Sequence, residues 1–513
     1  MTAYTNPGVY VTESPLTSLV PTTGGVASAA FWGTADRGPT VATKVSDWTT
    51  YKSLFGDLND NYDLGYAVYH FFANGGRNAY VTRVVSSTAV SAQTAAAVKW
   101  YPLATGAAGV AQDLMTVTAS SPGLWGNKLS VKTLAGSSVA TATNFPTFDF
   151  VVLLNGVEVE RWTDVSPDNT ANRYVESVVN TYSTFVKVSN VNPGNHPYHV
   201  DAVYQVAATT NLVGGTSPSV VDADYTTAFN SIDLVPGNLI LNAVGQNGAT
   251  VTGALVTKAS TRGDSFVILD PDVNDVTFAD IQTTVAAYSG IGNSSYAATY
   301  APALLMVDPA KSGVGAIRAT YPGGALAGLY VRTEVERSVA KAPAGYAADI
   351  RGALAPTVKL TTAQVGTLYN SQTPVNTFKT VAGAGVTVDG ARTLQKANPD
   401  RFINVRRTLN YLKYSLKQLT EFAVFEANDP RLWTEVNVKV AGFLNEFWRS
   451  GGLKGERSNE AFFVVCDASN NTTASIDQGQ LRVDVGVSLQ YPAEFVLINI
   501  SQWSGGSNAV DSL

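Results

Sequence analysis

The sequence predicts an α+β, multidomain chain: an α/β core domain, an inserted mostly β domain, a C-terminal α+β domain, and extended arms at both ends. Three observations predict it. At 513 residues the chain exceeds what one core can serve and calls for roughly three or four domains. Its texture changes twice, from α/β to Thr-, Ser-, Asn- and Val-rich near residue 96 and back near residue 216. After residue 395 two strong helical periodicities are followed by alternating strands. The expected division is a 1–25 arm, a discontinuous α/β domain (26–95 and 216–395), a 96–215 insertion, a 396–492 domain, and a 493–513 strand arm and tail.

Residues 1–35 carry one charge, Glu13, and are punctuated by Pro7-Gly8, Pro15, Pro21 and Gly24-Gly25. Between them Val9-Tyr10-Val11-Thr12 is β-rich, but a strand this short cannot build its own sheet and must join another. Ala27–Gly33 then reads as a buried strand. Asp63–Asn74 reads as an amphipathic helix with Leu64, Ala67, Val68, Phe71 and Phe72 on one face. Gly75-Gly76 stops it, and Ala79–Val85 returns as a strand.

In the insertion, Phe148–Leu154 and Val157–Trp162 flank Asn155-Gly156, the pattern of a tight hairpin. Beyond it, Ser265–Leu269 and Ala303–Val307 read as buried strands and Phe278–Tyr288 as a helix. Gly323–Val331 is rich in Gly and Ala, which suits close backbone packing. Val405, Leu409, Leu412, Leu416 and Leu419 recur at helical spacing, with Arg406, Lys413 and Lys417 on the other side. A second helix carries Trp433, Val436, Val440, Phe443, Leu444 and Phe447, and Gly451-Gly452 ends it. Ala461–Cys466 is a short apolar strand. Leu481 to Leu489 alternates apolar and polar residues, and Phe495, Val496, Leu497, Ile498 and Ile500 form a last strand after Tyr491-Pro492.

Composition narrows the function. Charged residues make up 14%, against about 25% in an ordinary soluble protein, which favours a subunit that buries surface against copies of itself. A net charge of −6 argues against direct nucleic-acid binding. The lone Cys466 excludes an internal disulfide. No run of about 18 apolar residues suggests membrane insertion. The first residues lack the basic and apolar regions of a signal peptide, so synthesis in a cytoplasm is expected.

No catalytic constellation emerges, and no enzyme activity, metal or cofactor is expected. His196 and His199 flank Pro197-Tyr198 without further metal ligands nearby, and His70 sits among apolar helix residues. Asp270 and Asp272 end a strand where sites often lie, but beside proline they also suit a turn. Gly313-Val314-Gly315 lacks the third glycine of a dinucleotide loop. Cys466 reads as a small buried hydrophobe. Arg401, Arg406, Arg407, Lys413 and Lys417 form a run without an intervening acid. It is either a solvated face or a docking strip for an acidic partner. Trp125 and Trp162 leave open a carbohydrate- or surface-binding role for residues 96–215, although Trp125 suits a structural place.

Several segments resemble the tail sheath family of contractile phages and related contractile injection systems. They include Asn6-Pro7-Gly8-Val9-Tyr10-Val11-Thr12-Glu13, Phe31-Trp32-Gly33-Thr34-Ala35-Asp36-Arg37-Gly38-Pro39 and the Phe71–Val84 stretch. Pro122-Gly123-Leu124-Trp125-Gly126-Asn127, Ala327-Gly328-Leu329-Tyr330-Val331-Arg332 and Gly390-Ala391-Arg392-Thr393-Leu394 follow in family order. Phe425-Glu426-Ala427-Asn428, Gly451-Gly452-Leu453-Lys454-Gly455 and Pro492-Ala493-Glu494-Phe495 complete the series. Ala340 and Ser338 depart from the family pattern.

The resemblance implies a structural subunit that polymerises as stacked hexameric rings around an inner tail tube and contracts to drive the tube through an envelope. Implied partners are further copies, the tube protein, the baseplate and the tail terminator, and the implied location is the virion tail. It also implies that Val9, Tyr10, Val11 and Thr12 at one end, and Phe495, Val496, Leu497, Ile498 and Ile500 at the other, add strands to neighbouring subunits. Arg406, Lys413 and Lys417 are the candidate tube-facing residues. Of the two arms, the N-terminal one is expected to be the freer.

Overall fold

The computed structural model describes residues 26–94, 98–100, 103–104, 107–108, 112–137, 147–191, 209–397 and 399–494. The chain opens with β1 (Ser28–Gly33), β2 (Thr43–Val45), α1 (Trp48–Phe55), α2 (Asp63–Ala73) and β3 (Ala79–Arg83). The second segment begins β4 (Gln93–Thr94), β5 (Val98–Trp100), β6 (Leu103–Ala104), β7 (Ala107–Ala108) and β8 (Gln112–Ala119). It continues with β9 (Leu129–Ala135), β10 (Phe148–Leu154), β11 (Val157–Val165), α3 (Val175–Tyr182), β12 (Val186–Ser189) and β13 (Thr210–Val213).

The first domain then resumes with α4 (Asp222–Ala228), β14 (Leu239–Ala243), α5 (Ala249–Arg262), β15 (Ser265–Leu269), α6 (Phe278–Ala286) and β16 (Ala297–Tyr300). It ends with β17 (Leu304–Val307), β18 (Ile317–Thr320), α7 (Gly323–Glu336), β19 (Ala353–Pro356), α8 (Thr362–Tyr369), β20 (Val375–Val381) and β21 (Gly385–Asp389). The last segment holds α9 (Ile403–Thr420), α10 (Pro430–Arg449), α11 (Ser458–Ala461), β22 (Phe462–Val465), α12 (Thr473–Asp477) and β23 (Asp484–Val487).

The α/β domain is built on one sheet in the order β2-β3-β1-β14-β15-β16-β20-β21, parallel except for β2 and β21 at its edges. Strands buried on both faces read as continuous apolar runs. In β15, Phe266 and Ile268 enter one core with α2 and α7, while Val267 and Leu269 enter the other with α5 and α6. The α2–α7 contact rests on two glycines. A Cβ on Gly324 would stand 2.2 Å from the Ala67 carbonyl oxygen, and one on Gly328 2.3 Å from that of Phe71. The backbones meet where any side chain would keep them apart.

The Ala303–Val307 run is a strand as expected, but it does not belong to the main sheet. It forms β17, the middle of a separate antiparallel sheet β18-β17-β19, and the strand of the main sheet is β16. Ala297-Ala298-Thr299-Tyr300 is the less apolar of the two runs, yet all four residues are buried. Position between β15 and β20, not hydrophobicity, decides which run joins the sheet.

The intervening domain has its own core, gathered from Met115, Val117, Trp125, Val131, Phe150, Val152 and Leu212 among others. Its sheet runs β11-β10-β9-β13-β4-β8-β12, so Gln93 and Thr94, just before residue 96, already belong to it. The β10–β11 hairpin turns at Asn155 (φ 52°) and Gly156 (φ 79°), both in the region a tight two-residue turn requires. The domain's two ends meet: Val90 bridges Thr216. Arg83 links it to the α/β domain, donating to the carbonyls of Ala35 (2.9 Å) and Pro122 (2.6 Å).

The C-terminal domain packs α10 and the outer half of α9 against the two-stranded sheet β22-β23. Asp429 caps α10 by accepting from the N–H groups of Arg431 and Leu432, and Pro430 occupies the first turn. Gly451 (φ 83°) follows its end.

Candidate assembly site

In the alternating segment Leu481–Leu489, β23 runs antiparallel to β22 with Phe463 opposite Gly486 and Val465 opposite Asp484, and Leu489 beyond it bridges Leu453. Ser488 N–H donates to the Ala461 carbonyl, which sets the parity of the ladder. Gly486 and Asp484 therefore point their backbone groups at β22, whereas those of Val483, Val485 and Val487 point away. Likewise Phe462 and Val464 face outward on the other edge. At Arg482 the Asn471 side chain replaces the missing partner, donating to the carbonyl (3.0 Å) and accepting from the N–H (2.7 Å).

Among the described residues no strand lies beyond either edge. The apolar face of the sheet (Phe462, Val464, Val483, Val485 and Val487) packs on the domain core but is only half-buried. A two-stranded sheet is marginal by itself, and two unpaired edges are templates for further strands. The candidate arm residues Val9, Tyr10, Val11 and Thr12, and Phe495, Val496, Leu497, Ile498 and Ile500, lie outside the described residues.

The basic run on α9 does not form one exposed strip. Lys413 and Lys417 reach solvent, but Arg406 is buried, paired with Asp400 and set over the Tyr296 ring. Arg407 is buried deeper, 2.6 Å from Glu334 and over the Tyr330 ring. The reason is local. The first turns of α9 are wedged against the α/β domain, where Asn410 Nδ2 donates to the Ser265 carbonyl (2.8 Å) and Asn404 Nδ2 to that of Ala340 (2.9 Å). A helix covered on more than one side buries its polar side chains too, and pairing satisfies them only in part: Nε of Arg406 and Arg407 and Oδ1 of Asn404 and Asn410 find no partner. As a surface, the tube-facing candidate reduces to Lys413 and Lys417.

Two carboxylates stand at the roots of the chain ends, and the sequence reading assigned neither a role. Glu334 Oε1 accepts from the Ala27 N–H (3.0 Å), where β1 is about to begin, while its other oxygen takes Arg407. Glu494, the last described residue before the final strand candidate, receives Arg392 Nη2 at 2.8 Å and Nε at 3.0 Å, and the Tyr369 hydroxyl at 2.6 Å. Burial alone would raise its pKa, but the bonds from Arg392 and Tyr369 outweigh that and hold the carboxyl below the usual range. Arg392 and Glu494 each belong to a family-like motif, but the motifs lie far apart in sequence and nothing there pairs them.

The remaining candidates resolve as structural. Burial lowers the His70 pKa to about 4, so the imidazole is neutral. Asp270 is fully buried and accepts from Asn242 Nδ2 and the N–H groups of Gly245 and Gly323, joining two strand ends to the start of α7. Burial pushes its carboxyl up to about 6. Asp272 accepts from the Asn274 N–H in a turn. Gly313 and Gly315 lie in the β17–β18 connection, and Cys466 is buried. Trp125 is buried with its indole N–H on the Ser121 carbonyl and offers no face to a sugar, while Trp162 is half-buried and stacks on Phe150. His196 and His199 lie outside the described residues. Among the described residues there is no cluster suited to a metal ion and no helix long and apolar enough to cross a membrane.

Residues 395–502 match the family model of the phage tail sheath C-terminal domain. Two curated tail sheath proteins align in part, from Vibrio phage KVP40 (29% identity over 178 residues) and Enterobacteria phage T4 (27% over 188). The aligned segments are 34% and 36% of this chain but 25% and 27% of those proteins, so the chain spans about a quarter of their length. Similarity of fold extends much further. The sheath of the extracellular contractile injection system PVC, in its contracted state, superposes with a TM-score of 0.57 at 20% identity, over 98% of this chain and 99% of that one. The contracted helical sheath of the anti-feeding prophage gives 0.57 at 19% identity, over 98% and 100%. The sheath tail protein Lin1278 from Listeria innocua gives 0.58 at 14% identity, over 87% and 90%. Residues 395–502 are thus similar in sequence to a sheath C-terminal domain, and nearly the whole chain shares the fold of the sheath structures compared.

Proposed function

We propose that this chain is the structural subunit of a contractile tail sheath, assembling as stacked hexameric rings around a tail tube and shortening to drive the tube through a target envelope. The observation that carries the reading is the two-stranded sheet β22-β23, half-buried and, among the described residues, with no strand beyond either edge. Its outward groups at Val483, Val485 and Val487 on one side, and at Phe462 and Val464 on the other, suit one added strand each. Val9–Thr12 and Phe495–Ile500, from neighbouring copies, are the strands assigned to them.

Each added backbone hydrogen bond contributes a net of about 0.5–1.5 kcal/mol, so one short strand is a modest clasp. Two clasps per subunit, repeated around a ring, act together and hold rings in register while the globular domains reorient. Contraction then requires only two packings of the subunit, with better matched surface in the shorter one. No catalytic step, cofactor, nucleic acid or membrane insertion enters. The partners are further copies, a tube protein, a baseplate and a tail terminator, and the place is the virion tail.

Deleting residues 1–20 tests the arm directly. The expected result is loss of long cylinders in electron micrographs with the circular dichroism spectrum nearly unchanged. Cylinders of ordinary length from the truncated chain would contradict the assignment.

A further inference from the structure

Between the C-terminal sheet and the arm, the chain crosses a cleft of about 680 Å³ that separates the C-terminal and α/β domains, with Val365, Tyr369 and Ala391 on its far wall. The crossing segment is held lightly at its start. Gln490 accepts from Asn404 Nδ2 (2.9 Å) and donates to the Leu453 carbonyl (3.0 Å), and the Tyr491 ring meets Phe402 edge-on. From Tyr491 to Glu494, no backbone–backbone hydrogen bond forms among the described residues. Then the bidentate pair of Glu494 with Arg392 closes the crossing, both side chains 11% exposed.

Arg392 is itself fixed. Its Nη1 donates to the Tyr369 carbonyl (3.0 Å) and its guanidinium lies 3.8 Å over the Tyr369 ring. Its backbone N–H donates to Asn376 Oδ1 (2.8 Å), and Asn376 in turn donates to the Thr299 carbonyl in the neighbouring strand. The arginine is thus bolted to α8, β20 and β16.

We propose that the Arg392–Tyr369–Glu494 cluster is a mooring for the C-terminal arm, transferring the pull of a neighbouring subunit to the rigid α/β domain. A buried ion pair is a poor way to gain stability compared with apolar residues of the same volume. It is a good way to fix one position and direction, because a bidentate contact fails once misaligned by a fraction of its length. Without the cluster, tension on the arm would first peel the unbonded stretch from Tyr491 to Glu494 off the cleft. With it, the arm leaves the subunit at one fixed point and the α/β domain follows the arm.

The inference rests on the sheath reading, and the experiment separates the two. Full-length wild type, Glu494→Ala, Tyr369→Phe and a chain lacking residues 495–513 are compared for monomer melting temperature and for the critical concentration of cylinder formation. The mooring predicts that E494A melts within a few degrees of wild type, with a critical concentration about tenfold higher or more. Y369F, which keeps the ring and loses one donor, should shift it about threefold, so the test survives if E494A fails to fold. Truncation at 495 should abolish cylinders. If truncation abolishes cylinders while E494A and Y369F assemble like wild type, the mooring is wrong and the arm stands. If the truncated chain also forms cylinders, the arm itself is wrong, and the mooring falls with it.

Discussion

Gly324 and Gly328 show how single residues set the architecture, because each lets the backbone of α7 touch that of α2. The obstruction at either position is a carbonyl oxygen of α2, which cannot rotate aside. Gly328→Ala should therefore cost about 1–3 kcal/mol, read as a lower midpoint in denaturant. Gly442 in α10 has nothing within 4 Å of its would-be Cβ, and Gly442→Ala should instead raise stability by about 0.5–1 kcal/mol. Equal effects at the two sites would refute the close-contact account. His70 gives a pH signature. Its pKa is about 4 in the fold, against an ordinary 6.5, so below pH 6.5 the unfolded chain takes up a proton that the native chain refuses. Stability falls as pH drops from 6.5 towards 4, by at most about 1.4 kcal/mol per unit. Asp270, held near 6, works in the opposite sense, its contribution lost as pH rises through 6. Comparing wild type with His70→Gln at pH 7 and pH 5 cancels the Asp270 part. The loss on acidification should be smaller in H70Q, and an equal loss would contradict the burial of a neutral imidazole.

Elements were legible where one period ruled. The hairpin at Asn155-Gly156, the strand Ser265–Leu269 and helix α10 stand where alternation, apolar runs and caps put them. β16 was not legible, because strand choice there depends on neighbours distant in sequence. For α9, a helical wheel assigns one buried face. It cannot tell that the first turns are covered from a second side, which turns Arg406 and Arg407 from surface charges into buried partners of Asp400 and Glu334. This difference is measurable. Lys413→Glu with Lys417→Glu should leave melting nearly unchanged and weaken recruitment of the subunit onto tail tubes. Arg406→Glu should lower the melting temperature of the isolated subunit, by placing two carboxylates together in a buried site. An unchanged melting temperature for R406E would contradict the buried pair. The Arg392–Glu494 contact was illegible for a similar reason: its two halves are separate motifs that only the folded chain brings together.

At the scale of the whole molecule, the inserted domain joins the α/β domain through neighbouring ends and the Arg83 link. Replacing residues 92–214 with two glycines should leave a cooperatively melting subunit, since Val90 and Thr216 are already bridged. A broad, non-cooperative melt would show that the domains are not separable. The change of texture near residue 96 falls close to Gln93 and Thr94, where the second sheet begins. The receiving sheet was legible only in part. Alternation from Leu481 to Leu489 promised a long strand, but the ladder with four-residue β22 is limited to Asp484–Val487, with a single further bridge from Leu489 to Leu453. A short sheet with no further described strand on either edge suits an assembling subunit, and the central claim is that this chain assembles. Negative-stain electron microscopy of the purified full-length chain at rising concentration tests it most directly. The account predicts hollow, transversely striped cylinders; a chain that stays monomeric at high concentration with both ends intact would contradict it.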